Sequence, residues 1–241
     1  MNNTRTVMII YGKNVWKTIS ENSKQIKEIY IQSGLKDPSI LQQVKASGLA
    51  YKVLNRQQLD TLTETSHHQG IACKVKDIQT VDVKQLMGKS QCIVALDGIQ
   101  DPHNVGAILR TCDCTGVSGL ILTKHKSAGL TPAAIKASTG AAYTVPVSIV
   151  NNLSNTLKQL KKEGYWIVGS DMDHARDYRE GIYDVPICLV IGSEGKGISP
   201  LVKKQCDYMV SLPMEGKMTS LNASVACAVL LYEIHSQRNP L

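Results

Sequence analysis

Among the 241 residues there is no apolar run long enough to cross a membrane as a helix, which leaves no basis for an integral membrane protein. There is no paired-cysteine framework either. Seven cysteines, an odd number scattered over the whole chain, suit a reducing compartment, and the cytosol is the default expectation. No signal-type cleavage pattern follows Met1-Asn2-Asn3-Thr4-Arg5, which leads into Val7-Met8-Ile9-Ile10 and Tyr11-Gly12; this reads as a first strand. Internal repeats and low-complexity tracts are missing. Cys112 and Cys114 stand one residue apart with no matched second pair, so no metal site is expected. No Ser/His/Asp or Cys/His order stands out, and His67, His68 and His103 read as turn or surface residues.

What is present is an ordinary globular composition, 43% hydrophobic and 20% charged, in a chain long enough for one large domain or two small ones. The formal charge of +7 is unevenly distributed. Residues 1–90 hold 13 Lys/Arg against 7 Asp/Glu, whereas residues 91–241 hold 14 against 13. A compact basic module attracts polyanions by releasing their counterions, so nucleic acid is the leading partner of the first third and an anionic membrane surface the second. A generally soluble basic protein is the bland alternative.

Periodicity divides the chain in two. Residues 1–75 alternate short strands (7–10, 26–31, 51–54, 70–75) with helices near 14–21, 39–47 and 56–63, a small α/β domain. Residues 76–90 show no strong period and read as a linker. From 91 to 241, stronger apolar strands at 92–97, 119–123, 143–147, 165–170, 187–191 and 208–212 are separated by helix-length segments. That alternation predicts a mostly parallel sheet covered on both faces, with ligands at the carboxyl ends of its strands.

Three segments at such ends carry the candidate chemistry. In Asp97-Gly98-Ile99-Gln100-Asp101-Pro102-His103-Asn104-Val105-Gly106, a strand passes through a turn into a helix for which Asn104 is the expected cap. Arg110 follows six residues later, on a broadly related face, an arrangement suited to an elongated ligand or to a solvated surface charge. In Ile191-Gly192-Ser193-Glu194-Gly195-Lys196-Gly197-Ile198-Ser199-Pro200 the spacing fits neither a P-loop nor a dinucleotide fingerprint. What remains is close backbone approach to some ligand, with Glu194 in the loop, or a plain turn. The third segment, Leu212-Pro213-Met214 through Thr219-Ser220-Leu221-Asn222-Ala223-Ser224, precedes the last helix, with Thr219 or Ser220 as the expected cap. Its polar groups suit adenine and ribose without formal charge.

Together these segments resemble the three motifs of the SpoU branch of the SPOUT RNA 2′-O-ribose methyltransferases. The resemblance rests on Asp101 to Ala107 with Arg110, on Ile191 to Gly197, and on Leu212-Pro213-Met214 with Ser220 to Ala226, in matching order across about 150 residues. The first third resembles the substrate-binding domain attached to many such enzymes, with Tyr11-Gly12 and His68-Gln69-Gly70-Ile71 in the expected places. The resemblance implies an α/β fold whose C-terminal sheet carries a deep trefoil knot over roughly 187–235, a rare exception to unknotted chains. It further implies S-adenosyl-L-methionine bound by Gly192, Leu212 and Leu221 with Met214 beside them, and a homodimer formed through residues 91–241. The implied substrate is RNA, a guanosine ribose of 23S ribosomal RNA first and transfer RNA second; a non-catalytic RNA-binding protein of the same fold is a further reading.

The candidate catalytic residues are Arg110, Asn104, Glu194, Ser220 and Asn222. A free guanidinium stays protonated at neutral pH, and lowering its pKa by about 6 units would cost about 8 kcal/mol. Arg110 is therefore expected to hold a phosphate and stabilise a developing alkoxide, with the proton passing to water or assisted by Asn104, Glu194 or Ser220.

Overall fold

The computed structural model describes residues 7–20, 23–76, 78–88, 91–171 and 175–240; Met1 to Arg5, within the N-terminal stretch read above, lie outside them. The first unit comprises β1 (Val7–Tyr11), α1 (Lys13–Ser20), β2 (Ile26–Gln32), α2 (Pro38–Ala46), β3 (Tyr51–Leu54), α3 (Arg56–Thr63) and β4 (Ile71–Lys76). Its sheet has the order β1-β4-β2-β3, with β4 antiparallel to both neighbours and β2 parallel to β3. The sequence has no phenylalanine, and this core is correspondingly aliphatic: Ile19, Ile29, Ile31 and Ile40 are buried in one cluster with Trp16, whose indole N–H donates to Gln43 Oε1 at 3.1 Å. Helix starts are set by local chemistry. Asp37 accepts from the N–H groups of Ser39 and Ile40 ahead of Pro38 at the first helical position, and Asn55 with Gln58 forms a reciprocal capping box.

The second unit comprises β5 (Cys92–Asp97), α4 (Pro102–Cys114), β6 (Gly119–Thr123), α5 (Pro132–Ala137), β7 (Val147–Val150), α6 (Leu153–Lys162), β8 (Trp166–Ser170), β9 (Arg176–Asp177), β10 (Ile187–Gly192), α7 (Pro200–Lys203), β11 (Tyr208–Ser211) and α8 (Ala223–Arg238). All seven strands are parallel, in the order β7-β6-β5-β10-β8-β11-β9. Ile93 to Leu96 are buried without alternation, because helices cover both faces. The chain travels outward from β5 through β6 to β7 and then crosses to the other side. The β5/β10 junction is thus a topological switch point, with the ends of β5 and β10 opening on one crevice.

Several local expectations are corrected. The apolar segment 143–147 is not a strand: Ala141–Tyr143 is a 3-10 turn, and the strand begins only after Pro146, which lacks the N–H a ladder requires. Asn104 does not cap α4; Asp101 does, accepting from His103 N–H, with Pro102 at the first position. Asn222, rather than Thr219 or Ser220, caps α8 through Ser224 and Val225 N–H. His68 lies in a turn but is buried, its Nε2 2.9 Å from Asp60 Oδ1 and its Nδ1 accepting from Gly70 N–H.

The segment read as a linker includes residues 77, 89 and 90, which lie outside the described set. Its described part is anchored on the larger sheet. Val81 N–H donates to Val147 O at 2.9 Å, Gly88 N–H to the Tyr165 hydroxyl at 3.2 Å, and Leu86 is fully buried against the same core as Ile93, Ala95 and Ile121. The two units also touch directly: Thr18 Oγ1 donates to Thr139 O at 3.0 Å, and Lys136 Nζ stands 4.5 Å from the centroid of the Tyr11 ring. Among the described residues, no helix is long and apolar enough to cross a membrane.

Candidate functional site

A cavity of about 830 Å³ lies outside the carboxyl ends of β8, β10 and β11. Its volume is in the range of small-molecule sites, about 300–1,000 Å³. Gly192, Glu194, Leu212, Met214, Ser220 and Leu221 all line it. Strand β10 ends at Gly192, where an added Cβ would overlap Gly197 C and Ile198 N, so only glycine lets the loop fold back this tightly. The loop closes through Ser193 N–H to Gly197 O at 3.1 Å and Gly197 N–H to Ser193 O at 2.9 Å, and Gly195 and Gly197 take positive φ. It is held from β5 as well: Asp97 Oδ2 accepts from Ser199 N–H at 2.7 Å.

Glu194 is the hub of the polar contacts at the cavity edge. Its Oε1 accepts from Asn104 Nδ2 at 3.0 Å, Asn222 Nδ2 at 2.5 Å and Ala223 N–H at 3.3 Å, while Asn222 Nδ2 also reaches Asn104 Oδ1 at 3.0 Å. One carboxylate thus ties together the start of α4, the glycine loop and the cap of α8, residues 90 and 28 positions from it in sequence. Asn104 is buried and does not line the cavity, nor does Asn222; both act on it through Glu194. Residues of the glycine loop and of the 212–221 loop line the cavity together with apolar Ile198, Leu212, Leu221 and Ala226, a mixed lining that suits a ligand with a flat aromatic part and a polar ribose.

Arg110 is not brought into this group. It is exposed on α4, six residues and about 9 Å of helical rise beyond Asn104, and does not line the cavity. The cysteines of the same helix face different environments: Cys114 is exposed, while Cys112 is fully buried and desolvation pushes its thiol well up. Sequence reasoning passed over Asp97, the brace of the glycine loop, and the Lys203–Asp171 ion pair (2.7 Å) in the cavity wall. The signal available for Asp97 and Asp171 was their place at the ends of apolar strands, where parallel sheets bind ligands.

Comparison with known proteins gives consistent results. Residues 91–232 match the SpoU rRNA Methylase family, and residues 9–81 match the RNA 2'-O ribose methyltransferase substrate binding family. A Staphylococcus haemolyticus protein assigned to the TrmH family of tRNA/rRNA methyltransferases is 40% identical over 241 residues, covering 96% of each chain. The Bacillus subtilis protein YacO, assigned to the same family, is 38% identical with the same coverage. Among solved structures, the SpoU methyltransferase AviRb from Streptomyces viridochromogenes, in complex with AdoMet, superposes with a TM-score of 0.83 at 23% identity, covering 96% of this chain and 90% of its own. The A. aeolicus TrmH/SpoU tRNA modifying enzyme is 32% identical with a TM-score of 0.58, covering 62% of this chain and 76% of its own.

Proposed function

Because the chain belongs to the SpoU rRNA methylase family, we propose that it transfers a methyl group from S-adenosylmethionine to a ribose 2′-oxygen of RNA. The observation that carries this reading is the Gly192–Gly197 loop at the mouth of the 830 Å³ cavity, fixed by Glu194 to Asn104 and Asn222. When bound, S-adenosylmethionine supplies a sulfonium methyl that is already a good electrophile. The chain's own work is alignment, worth several powers of ten in rate when reacting atoms are held in line. Gly192, Leu212 and Leu221 hold the cofactor, with Met214 beside them. Ser220 and Glu194, both at the cavity wall, are placed to orient the 2′-hydroxyl as its proton leaves to solvent.

Arg110 completes the site from a second copy of the chain in this reading. Val225, Val229 and Tyr232 form an exposed apolar stripe on α8, continued by Leu221 at the cavity lip, and α8 packs against the helix that carries Arg110. A stripe of this kind suits an isologous homodimer, in which the partner's guanidinium clamps an RNA phosphate and the developing alkoxide. The trefoil knot over roughly 187–235 belongs to the same proposal, supported by the insertion of β11 between β8 and β9 before α8 returns beneath β10.

A guanosine of 23S ribosomal RNA is the proposed target, because residues 9–81 form a separate substrate-binding module, whereas the A. aeolicus tRNA enzyme aligns with only 62% of the chain. Transfer RNA is the second reading, favoured by the tRNA/rRNA naming of the full-length relatives. Ribose methylation is to be mapped across total RNA from cells lacking the gene, alongside calorimetry with S-adenosylmethionine. Loss of one 23S guanosine methylation is the expected result. An unchanged ribosomal profile with a change in transfer RNA moves the target to the second reading, and absence of cofactor binding overturns the enzymatic reading.

A further inference from the structure

Strand β6 ends at Thr123 and opens into Lys124-His125-Lys126, three consecutive exposed residues that enter no ion pair among the described residues. The turn is built, not loose. Lys124 N–H donates to Val150 O at 2.8 Å, Thr123 Oγ1 to His125 O at 2.8 Å, and Ala128 N–H to Ile99 O at 3.0 Å, while Lys126 holds a left-handed φ of 59°. The last of these bonds ties it to the loop that leads into α4.

Its position follows from register. Gly192 pairs with Asp97, and Ala95 with Ile121, so continuing the ladder places Thr123 in the same row as Asp97 and Gly192. Two strand spacings of about 4.8 Å put that row's end roughly 10 Å from the start of the cavity loop, on the side of Asn104. In the other direction the turn leads into α5, whose Lys136 lies over Tyr11 and reaches His67 O at 3.5 Å in the first unit. The segment that carries the basic turn is thus tied to the loop before α4 through Ala128 and to the first unit through Lys136. Two acids at the end of β5 and the start of α4 are engaged with backbone donors: Asp97 with Ser199 N–H and Asp101 with His103 N–H.

We infer that Lys124-His125-Lys126 is a phosphate-contacting ledge of the catalytic unit, receiving the sugar-phosphate backbone beside the ribose presented to the cavity. This rests on the RNA-methylating reading above. It adds an RNA surface to the part of the chain whose net charge is only +1, since phosphate contacts depend on where individual charges stand rather than on the total.

The test uses the full-length protein with 23S ribosomal RNA and, separately, transfer RNA, both isolated from cells lacking the gene. For Lys124→Ala/Lys126→Ala, RNA binding is expected to weaken roughly tenfold at 150 mM salt. The slope of log affinity against log salt should fall in magnitude by about 1.4, as for two single-strand phosphate contacts. KM for RNA rises, kcat at saturating RNA stays within about twofold, and cofactor affinity is unchanged. Lys124→Arg/Lys126→Arg retains the parent slope. Lys158→Ala/Lys162→Ala on α6, which removes the same charge from exposed positions elsewhere, also leaves it unchanged. A parent-like slope in the first variant, or an equal loss in the α6 variant, overturns the ledge while leaving the methyltransferase reading intact. A parent protein that neither binds nor methylates either RNA overturns both.

Discussion

Replacing Gly192 by alanine isolates the contribution of one close backbone approach. The new Cβ would overlap Gly197 C and Ile198 N and stand 2.5 Å from Gly197 O, where ordinary contact begins at 3.4 Å. All three atoms are backbone, so no rotamer change relieves the clash, and the loop must retreat by about 1 Å. Retreat breaks the reciprocal Ser193–Gly197 pair, two hydrogen bonds worth about 1 kcal/mol each, and displaces Ile198 from the core, adding about 1–3 kcal/mol of overpacking strain. A loss of about 3–5 kcal/mol lowers Tm by roughly 10 °C in a chain of this size. If even 2 kcal/mol of the distortion must be undone to hold the cofactor, affinity for S-adenosylmethionine falls by about 30-fold. Gly195→Ala is the matched comparison. Its Cβ meets open space, and only the positive φ of 81° is penalised, by about 1–2 kcal/mol. Differential scanning calorimetry and isothermal titration of both variants check the ranking. A Gly192→Ala protein with Tm within about 2 °C of the parent and cofactor affinity within about threefold would refute the close-approach account.

Other expectations concern the assembly, the thiols and the segment between the two sheets. At a half-saturating concentration of S-adenosylmethionine for the parent, Arg110→Ala and Gly192→Ala are each expected to retain only a small fraction of methyl transfer, and mixed dimers to regain up to about a quarter of parent activity if Arg110 serves the partner's cavity; no regain places it in its own subunit's site. Burial pushes the thiol of Cys92 up to about 11 and that of Cys188 well above the ordinary cysteine value. The unfolded chain therefore loses these protons first. Their contribution to stability is whole below about pH 8.5 and falls above it by about 1.4 kcal/mol per pH unit for each thiol. Urea unfolding from pH 8 to 10.5 should show a shallower decline in Cys92→Ala/Cys188→Ala, and an identical slope counts against the account. Leu86→Ala is expected to cost about 2–5 kcal/mol, as a buried leucine does, whereas an unanchored linker residue would cost almost nothing in thermal unfolding.

Strong apolar periodicity made much of the larger sheet legible: β5 and β6 occupy the spans expected, because strands buried on both faces are written as continuous Val/Ile/Leu runs. The same signal misread 143–147, where the apolar residues pack from a 3-10 turn and Pro146 delays the ladder. Caps were misplaced by similar ambiguity. Asp101 and Asn104 are both capping types, and Pro102 decides between them only once its preference for the first helical position is weighed. At the site, the glycine spacing flagged the loop, but nothing local in Asn104, Glu194 or Asn222 announces that they converge, since their contacts span as many as 118 residues of chain. His68 shows the reverse case: its partner Asp60 is eight residues away, yet a histidine pair beside Gln and Gly looks like any exposed turn.

The anchoring of Val81 and Leu86 fixes how far the first unit can stray from the second. Between Lys76, at the end of β4, and Val81, pinned to Val147, five residue steps span at most about 17 Å. A leash of that length keeps the two units at millimolar effective concentration even when their direct contacts open. In the RNA-methylating function proposed above, an RNA held by the first unit would present to the cavity a ribose at a bounded distance from that grip.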